Sequence, residues 1–278
     1  MITDKQTNKL YLADCLPKKH PIFFKQFENI LNDCNIEFKF LPNTKDIWAV
    51  DFMPVQVSKD KFVQFAYNPD YLNSKVGRKS ISNVNDICDA INIKRIKSDI
   101  NIDGGNITKT TDKVIMCDKI FSENPQYSRK QLIDNLTELF EVDKLYFVPQ
   151  QPKDFTGHSD GMIRFLDANT VIINEYSNEP KDFQRAFHIA LHNAGLEYIE
   201  IPYNPYDNTK YANASGEYIN YLQMENIIIM PTFGIKEDDI AVRKFEELFK
   251  GHTINTIESN DIAENGGILN CITWNILK

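Results

Sequence analysis

The sequence predicts an α/β protein assembled from a recurring unit, and three observations carry that expectation. Five amphipathic segments read as helices, and each runs straight into a short β-rich segment. A polar loop follows each of these strands, and after most loops comes a hairpin-like pair of apolar runs. The resulting unit, helix–strand–loop–strand–strand, returns roughly every 45–65 residues, near the spacing at which internal periodicity points to propellers or arrays.

In order, the helix Pro21–Asn35 leads into the strand Ile36–Leu41, and Val84–Asn92 into Ile93–Ile96. Ser128–Phe140 leads into Leu145–Val148, Asp182–Ala194 into Glu197–Ile201, and Asp238–Phe249 into Thr253–Ile257. In the last helix Ile240, Phe245, Leu248 and Phe249 fall near one stripe, with Lys and Glu opposite. The clearest hairpins are GMIRFL with TVIINEY, turning at Asp167–Asn169, and YINYLQ with IIIMPTF, turning at Glu225–Asn226. The fifth unit ends at ILNCITWNILK without its last strand, while Lys9–Leu16 has strand character and no helix before it. That N-terminal run is therefore placed to close a ring. The same elements also allow an α/β domain without symmetry. No Pro/Gly-rich linker divides the chain, so residues 1–278 read as one domain.

Composition narrows the setting. The 278 residues are 42% hydrophobic and 25% charged, which excludes wholesale disorder. A formal net charge of −8, from 31 Lys and Arg against 39 Asp and Glu, argues against a nucleic-acid binder and suits a cationic small substrate. Five Cys, an odd number in no zinc spacing, argue against a disulfide framework or zinc module. No stretch approaches about 18 apolar residues and no basic n-region opens the chain, so a cytoplasmic protein with no membrane span is expected.

In a ring, equivalent loops face a common axis, and these loops hold chemistry. The first carries Trp48, Asp51 and Met53, and the second Asp103, Gly104, Gly105 and Asn106. The third carries His158 and Asp160, the fourth Asn213 to Glu217, and the fifth Gly266, Gly267, Asn270 and Cys271. Cys15, Cys34, Cys88 and Cys117 lie in expected strands or helices and read as buried hydrophobes. Cys271 differs, because a Gly-Gly pair precedes it in the loop class that holds the polar groups. His188 and His192 stand i, i+4 on a helix, but HIALH lacks the Glu of a metalloprotease motif. His20 and His252 read as surface residues. Were His158 to lead into a strand, Asp160 two positions on would share its face. One thiol, one imidazole and two carboxylates suit a guanidinium. Carboxylates clamp it through charge-assisted hydrogen bonds, a thiolate attacks its carbon, and the imidazole moves protons.

The same loops resemble those of the agmatine deiminase and bacterial peptidyl-arginine deiminase family, within the guanidine-modifying superfamily. WAVDFMP is similar to W-x-R-D-x-G-P, DGGNI to E-G-G-N-I, and GHSDGMIRF to G-H-x-D-x-x-x-R-F. YINYLQMENIIIMPTFG resembles S-Y-x-N-F-Y-x-x-N-G-x-x-x-x-P, and GGILNCIT resembles G-G-x-x-x-C-x-T. The resemblance runs in order along nearly the whole chain. It implies a five-bladed α/β propeller of pseudo-repeated ββαβ units, the pentein fold. It implies Cys271 as nucleophile, His158 as general acid/base, and Asp51 and Asp160 as guanidinium ligands. Trp48, Asp103, Asn106, Gly266, Gly267 and Asn270 would complete substrate binding, with no metal and no other cofactor.

Four positions depart from the family pattern: Val50 for Arg, Met53 for Gly, Asp103 for Glu and Asn270 for His. They leave the four-residue core intact and alter the surroundings in which the substrate's tail is distinguished. Trp274 either shapes the pocket or packs. The implied reaction is deimination of agmatine to N-carbamoylputrescine and ammonia through a covalent Cys thiouronium. Peptidyl-arginine deimination, amidino transfer, dimethylarginine hydrolysis and a non-catalytic guanidine binder are the alternatives. The expected partners are a small cationic guanidino compound and, at most, a second copy of the chain as a homodimer.

Overall fold

One narrow apolar seam runs down each long crossover helix and decides how it lies. In a computed structural model describing residues 1–206, 208 and 212–278, Phe23, Phe27 and Leu31 are the buried residues of the helix Pro21–Asp33. Leu132, Leu136 and Phe140 serve Arg129–Phe140, and Phe183, Phe187 and Leu191 serve Lys181–Asn193. Spacings of four keep each triplet on one face, so each helix rests on a sheet along a single line. Each crossover helix, the shorter Val84–Ala90 included, is followed closely by a residue in the left-handed region. These are Asn35 (φ 56°), Asn92 (φ 59°), Glu141 (φ 54°), Gly195 (φ 67°) and Gly251 (φ 88°). That conformation satisfies the last helical carbonyls and turns the chain toward the next strand.

The strands form five sheets of three, and every sheet has the same plan. β1 (Lys9–Ala13) lies between β15 (Thr273–Ile276) and β2 (Phe38–Leu41). β3 (Val55–Gln56), β4 (Phe62–Ala66) and β5 (Ile96–Asn101) make the second sheet. β6 (Thr108–Lys109), β7 (Lys113–Cys117) and β8 (Lys144–Val148) make the third. β9 (Ile163–Phe165), β10 (Thr170–Asn174) and β11 (Glu197–Ile201) form the fourth, and β12 (Leu222–Met224), β13 (Ile227–Thr232) and β14 (Thr253–Glu258) the fifth. In each, the middle strand is antiparallel to one neighbour and parallel to the strand that follows its helix. The middle strands are the most buried, as β7 shows along its whole length, while the strands after the helices are half-exposed edges. This is a five-bladed α/β propeller. The first blade is built from both ends of the chain, with Lys9 opposite Ile276 and Leu12 opposite Thr273.

Several expectations are corrected. The strand expected at Ile93–Ile96 begins only at Ile96, because the Ile93 amide returns to the Cys88 carbonyl and caps the preceding helix (2.9 Å). Lys9–Leu16 is strand only to Ala13, and Leu16 opens a helical turn. Ile240 is 46% exposed, since the seam of the helix Glu237–Leu248 runs through Ala241 and Phe245, one residue on. Cys88 and Cys117 are buried, but Cys15 and Cys34 are half-exposed because they flank helices rather than lie inside elements. His20 is buried where the chain turns between two helices, with Nδ1 3.1 Å from the Asp261 carboxylate. His188 stacks on Tyr198 and His192 is exposed. No helix among the described residues is long and apolar enough to cross a membrane.

Candidate active site

The segments that enter the first strand of each sheet carry the polar groups. Asp51 stands in the helical turn Ala49–Phe52 before β3, and Asp103 precedes the 3-10 turn Gly104–Asn106 before β6. His158 and Asp160 stand at the 3-10 turn Ser159–Gly161 before β9, Asn220 lies before β12, and Cys271 before β15. His158 therefore leads into a turn, not into the strand the alternation argument assumed, yet both side chains still reach one site.

Asp160 Oδ2 is the hub. It accepts hydrogen bonds from Asn270 Nδ2 (2.7 Å) and Asn220 Nδ2 (3.0 Å), and Cys271 Sγ stands 3.7 Å away. All hydrogen bonds to the Asp160 side chain among the described residues fall on Oδ2, which leaves Oδ1 available to a ligand. Asn220 Oδ1 accepts from the Cys271 amide (3.3 Å), so one side chain ties Cys271 and the Asp160 carboxylate together. His158 Nε2 is 3.0 Å from Asp103 Oδ2 and its Nδ1 is 3.6 Å from Asp51 Oδ1. The amide of Gly105 donates to that same Asp51 oxygen (3.0 Å). A Cβ on Gly105 would sit 2.5 Å from His158 Nδ1 and 2.7 Å from Asp51 Oδ1, so only glycine allows this approach. Gly267 likewise lets the Trp48 ring and the Cys271 Cβ close in, at 2.6 and 3.0 Å from where its own Cβ would be.

Electrostatics follow from burial and sign. Burial, then Asp160 and Asp51, push the Cys271 thiol well above its ordinary range. Burial works against a charged His158, but Asp51 and Asp103 outweigh it and raise the imidazolium to about 10. Burial lifts Asp51 to about 8, with Asp103 and Asp160 adding to it and His158 opposing. The carboxyl groups of Asp51, Asp103 and Asp160 outnumber the one imidazolium here, so the site has room for a further positive charge.

Cys271, His158, Asp160, Asn220, Gly266 and Gly267 border a cavity of about 390 Å³. Asp51 stands behind His158, and Trp48 behind Gly267. Asn106 is elsewhere: its Oδ1 accepts from the Cys117 amide (2.6 Å) and its Nδ2 donates to the Cys117 carbonyl (3.4 Å), so it clasps β7 and does not line this cavity. Val50 and Met53 line a second cavity of about 150 Å³ with Asn270 and Trp274, not the cavity holding Cys271. The Trp274 Nε1–H donates to the Pro54 carbonyl (2.9 Å). Among the described residues no group of three or more His, Cys, Asp or Glu is placed to hold a metal ion.

Sequence reasoning missed three contributors. Asn220 occupies the repeat position of Asp51, Asp160 and Cys271, a signal that periodicity alone could have supplied. Tyr71 donates to Asp103 Oδ2 (2.8 Å) and packs edge-on to His158, from an irregular stretch that no repeat marks. Lys119 donates to Asp70 Oδ1 (2.8 Å) and to the Phe155 and Thr156 carbonyls (3.2 and 2.9 Å), anchoring the loop that enters His158.

The fold is that of an α/β propeller, and the family match makes the protein a hydrolase that acts on carbon–nitrogen bonds. The chain belongs to the Porphyromonas-type peptidyl-arginine deiminase family, whose pattern it matches over residues 15–276. A Mycoplasma mycoides protein provisionally named an agmatine deiminase is 25% identical over 300 residues, covering 90% of this chain and 80% of that one. The C. jejuni agmatine deiminase structure superposes with a TM-score of 0.81 at 19% identity, covering 100% of this chain and 95% of its own. DDAH from Pseudomonas aeruginosa superposes at 0.61 with 10% identity, covering 98% and 100%.

Proposed function

We propose that this protein hydrolyses the guanidinium of agmatine to a ureido group, releasing ammonia, with Cys271 as nucleophile. The observation that carries the reading is the buried Cys271 thiol 3.7 Å from the Asp160 carboxylate, on the same cavity as His158. A thiol beside a carboxylate is held protonated. A guanidinium laid on the free Asp160 oxygen, with Asp51 behind, cancels that repulsion, so the substrate itself favours the thiolate. The thiolate attacks the guanidinium carbon, and the imidazolium of His158 gives its proton to the departing amine, which leaves as ammonia. Water then adds to the thiouronium and His158 takes its proton. The carbon–sulfur bond breaks, freeing the ureido product and Cys271.

The agmatine deiminase relatives support agmatine as the substrate, and the family's own description favours peptidyl-arginine as the second reading. Ammonia release and ureido product from agmatine, arginine and an arginine peptide decide between them. Cys271→Ala is expected to abolish turnover, by at least about 10⁴-fold, with the thermal transition retained. Folded wild-type protein that turns over no guanidino compound would overturn the reading.

A further inference from the structure

Glu217 faces the large cavity beside Asp160 and His158 and has no use in the chemistry above. The other carboxylates among the described residues on that wall are engaged. Asp154 accepts from the Thr156 amide and hydroxyl and from the Gly157 amide, and Glu179 accepts from the Tyr206 hydroxyl. Asp160 holds Asn220 and Asn270. The Glu217 carboxylate makes no hydrogen bond or ion pair with any described residue, while its backbone is pinned by a bridge to Tyr203 and by its amide on the Ala214 carbonyl (3.2 Å). Its Oε2 stands 3.4 Å from where a Cβ on Gly161 would lie, directly beside the Asp160 segment. Among the described residues lining the cavity the one lysine, Lys153, is exposed. Burial, with Asp154 and Asp160 nearby, pushes the Glu217 carboxyl well above the usual range.

A half-buried carboxylate fixed in place, surrounded by like charge and given no donor among the described residues, is a site that a ligand's cation completes. The guanidinium is already accounted for at Cys271 and Asp160, so the second cation must come from the other end of the same molecule. We infer that Glu217 selects the substrate's tail by taking a primary ammonium, and so favours an ω-guanidino amine over an ω-guanidino acid or a peptide-bonded arginine. This rests on the deiminase reading and adds to it the residue that sets the tail's charge.

The test is Glu217→Gln, which keeps the shape and removes the charge, assayed with agmatine, 1-butylguanidine and 4-guanidinobutyrate. The ratio of kcat/KM for agmatine over butylguanidine is expected to fall at least tenfold, through KM, and guanidinobutyrate to gain relative to agmatine. Equal loss for agmatine and butylguanidine would place Glu217 in the fold or at the guanidinium end and overturn the inference, as would no loss at all. Calorimetric titration of the Cys271→Ser protein with agmatine and butylguanidine separates this from the reaction itself. Agmatine binding weakened at least tenfold by Glu217→Gln in that background, with no wild-type turnover, would remove deimination and keep the subsite. Turnover with binding insensitive to Glu217→Gln would do the reverse.

Discussion

At Cys271 the resting protein works against the nucleophile proposed for it. Burial and the adjacent Asp160 and Asp51 keep the thiol protonated, so on the proposed mechanism it reacts only when a cation arrives. Alkylation by neutral chloroacetamide is therefore expected to climb through the alkaline range with no plateau near neutrality. Cationic 2-chloroacetamidine should modify Cys271 at least tenfold faster at pH 7, read by intact mass. Equal rates would remove the carboxylates' role. His158 and Asp51 make a second statement through stability. Both hold their protons more tightly in the folded chain, at about 10 and about 8, than in an unfolded one, near 6.5 and 4. The native state therefore binds more protons, and stability falls as pH rises, from Asp51 up to about pH 8 and from His158 up to about pH 10. Urea midpoints should drop between pH 7 and 10, and His158→Asn should flatten that slope.

At the scale of elements, Asn106 shows how a motif residue serves the scaffold. Its amide pairs with both backbone groups of Cys117, joining the turn that carries Asp103 to the middle strand of its blade. Asn106→Ala leaves those buried groups unsatisfied and should cost about 1–3 kcal/mol in urea unfolding. The sequence could not separate this from substrate binding, since a polar residue in a functional loop reads the same whether it faces ligand or backbone. The helices were legible because Phe27, Leu136, Phe187 and Phe245 anchor seams of fixed period. The short helix Val84–Ala90 gave its strand three residues late, because the turn at Asn92 is local backbone chemistry that periodicity does not record. Cys271, His158, Asp51 and Asp160 stood out by residue type and loop position. Tyr71 and Lys119 did not, because each acts through a distant contact that no spacing encodes.

For the whole molecule, pseudo-symmetry explains why so few residues suffice. Five blades deliver one segment each to the same place, so Asp51, Asp103, Asp160, Asn220 and Cys271 converge from distant parts of the chain without a dedicated scaffold. The first blade adds a condition of its own. Its middle strand comes from one end of the chain and its neighbour from the other, with Asn8 and Lys278 hydrogen-bonded across 270 residues. Contacts of that separation raise contact order and form late, since loop-closure entropy must be met before the pairing rewards it. Cys271 lies two residues from the strand that makes this pairing, so the reactive site and the closing of the ring should share one slow kinetic phase. In refolding from urea, 2-chloroacetamidine reactivity should appear with the slowest fluorescence phase. Earlier appearance would mean that the site assembles on an open ring. The closing strand would then act as a latch on folding, withholding a reactive thiol until the last blade is complete.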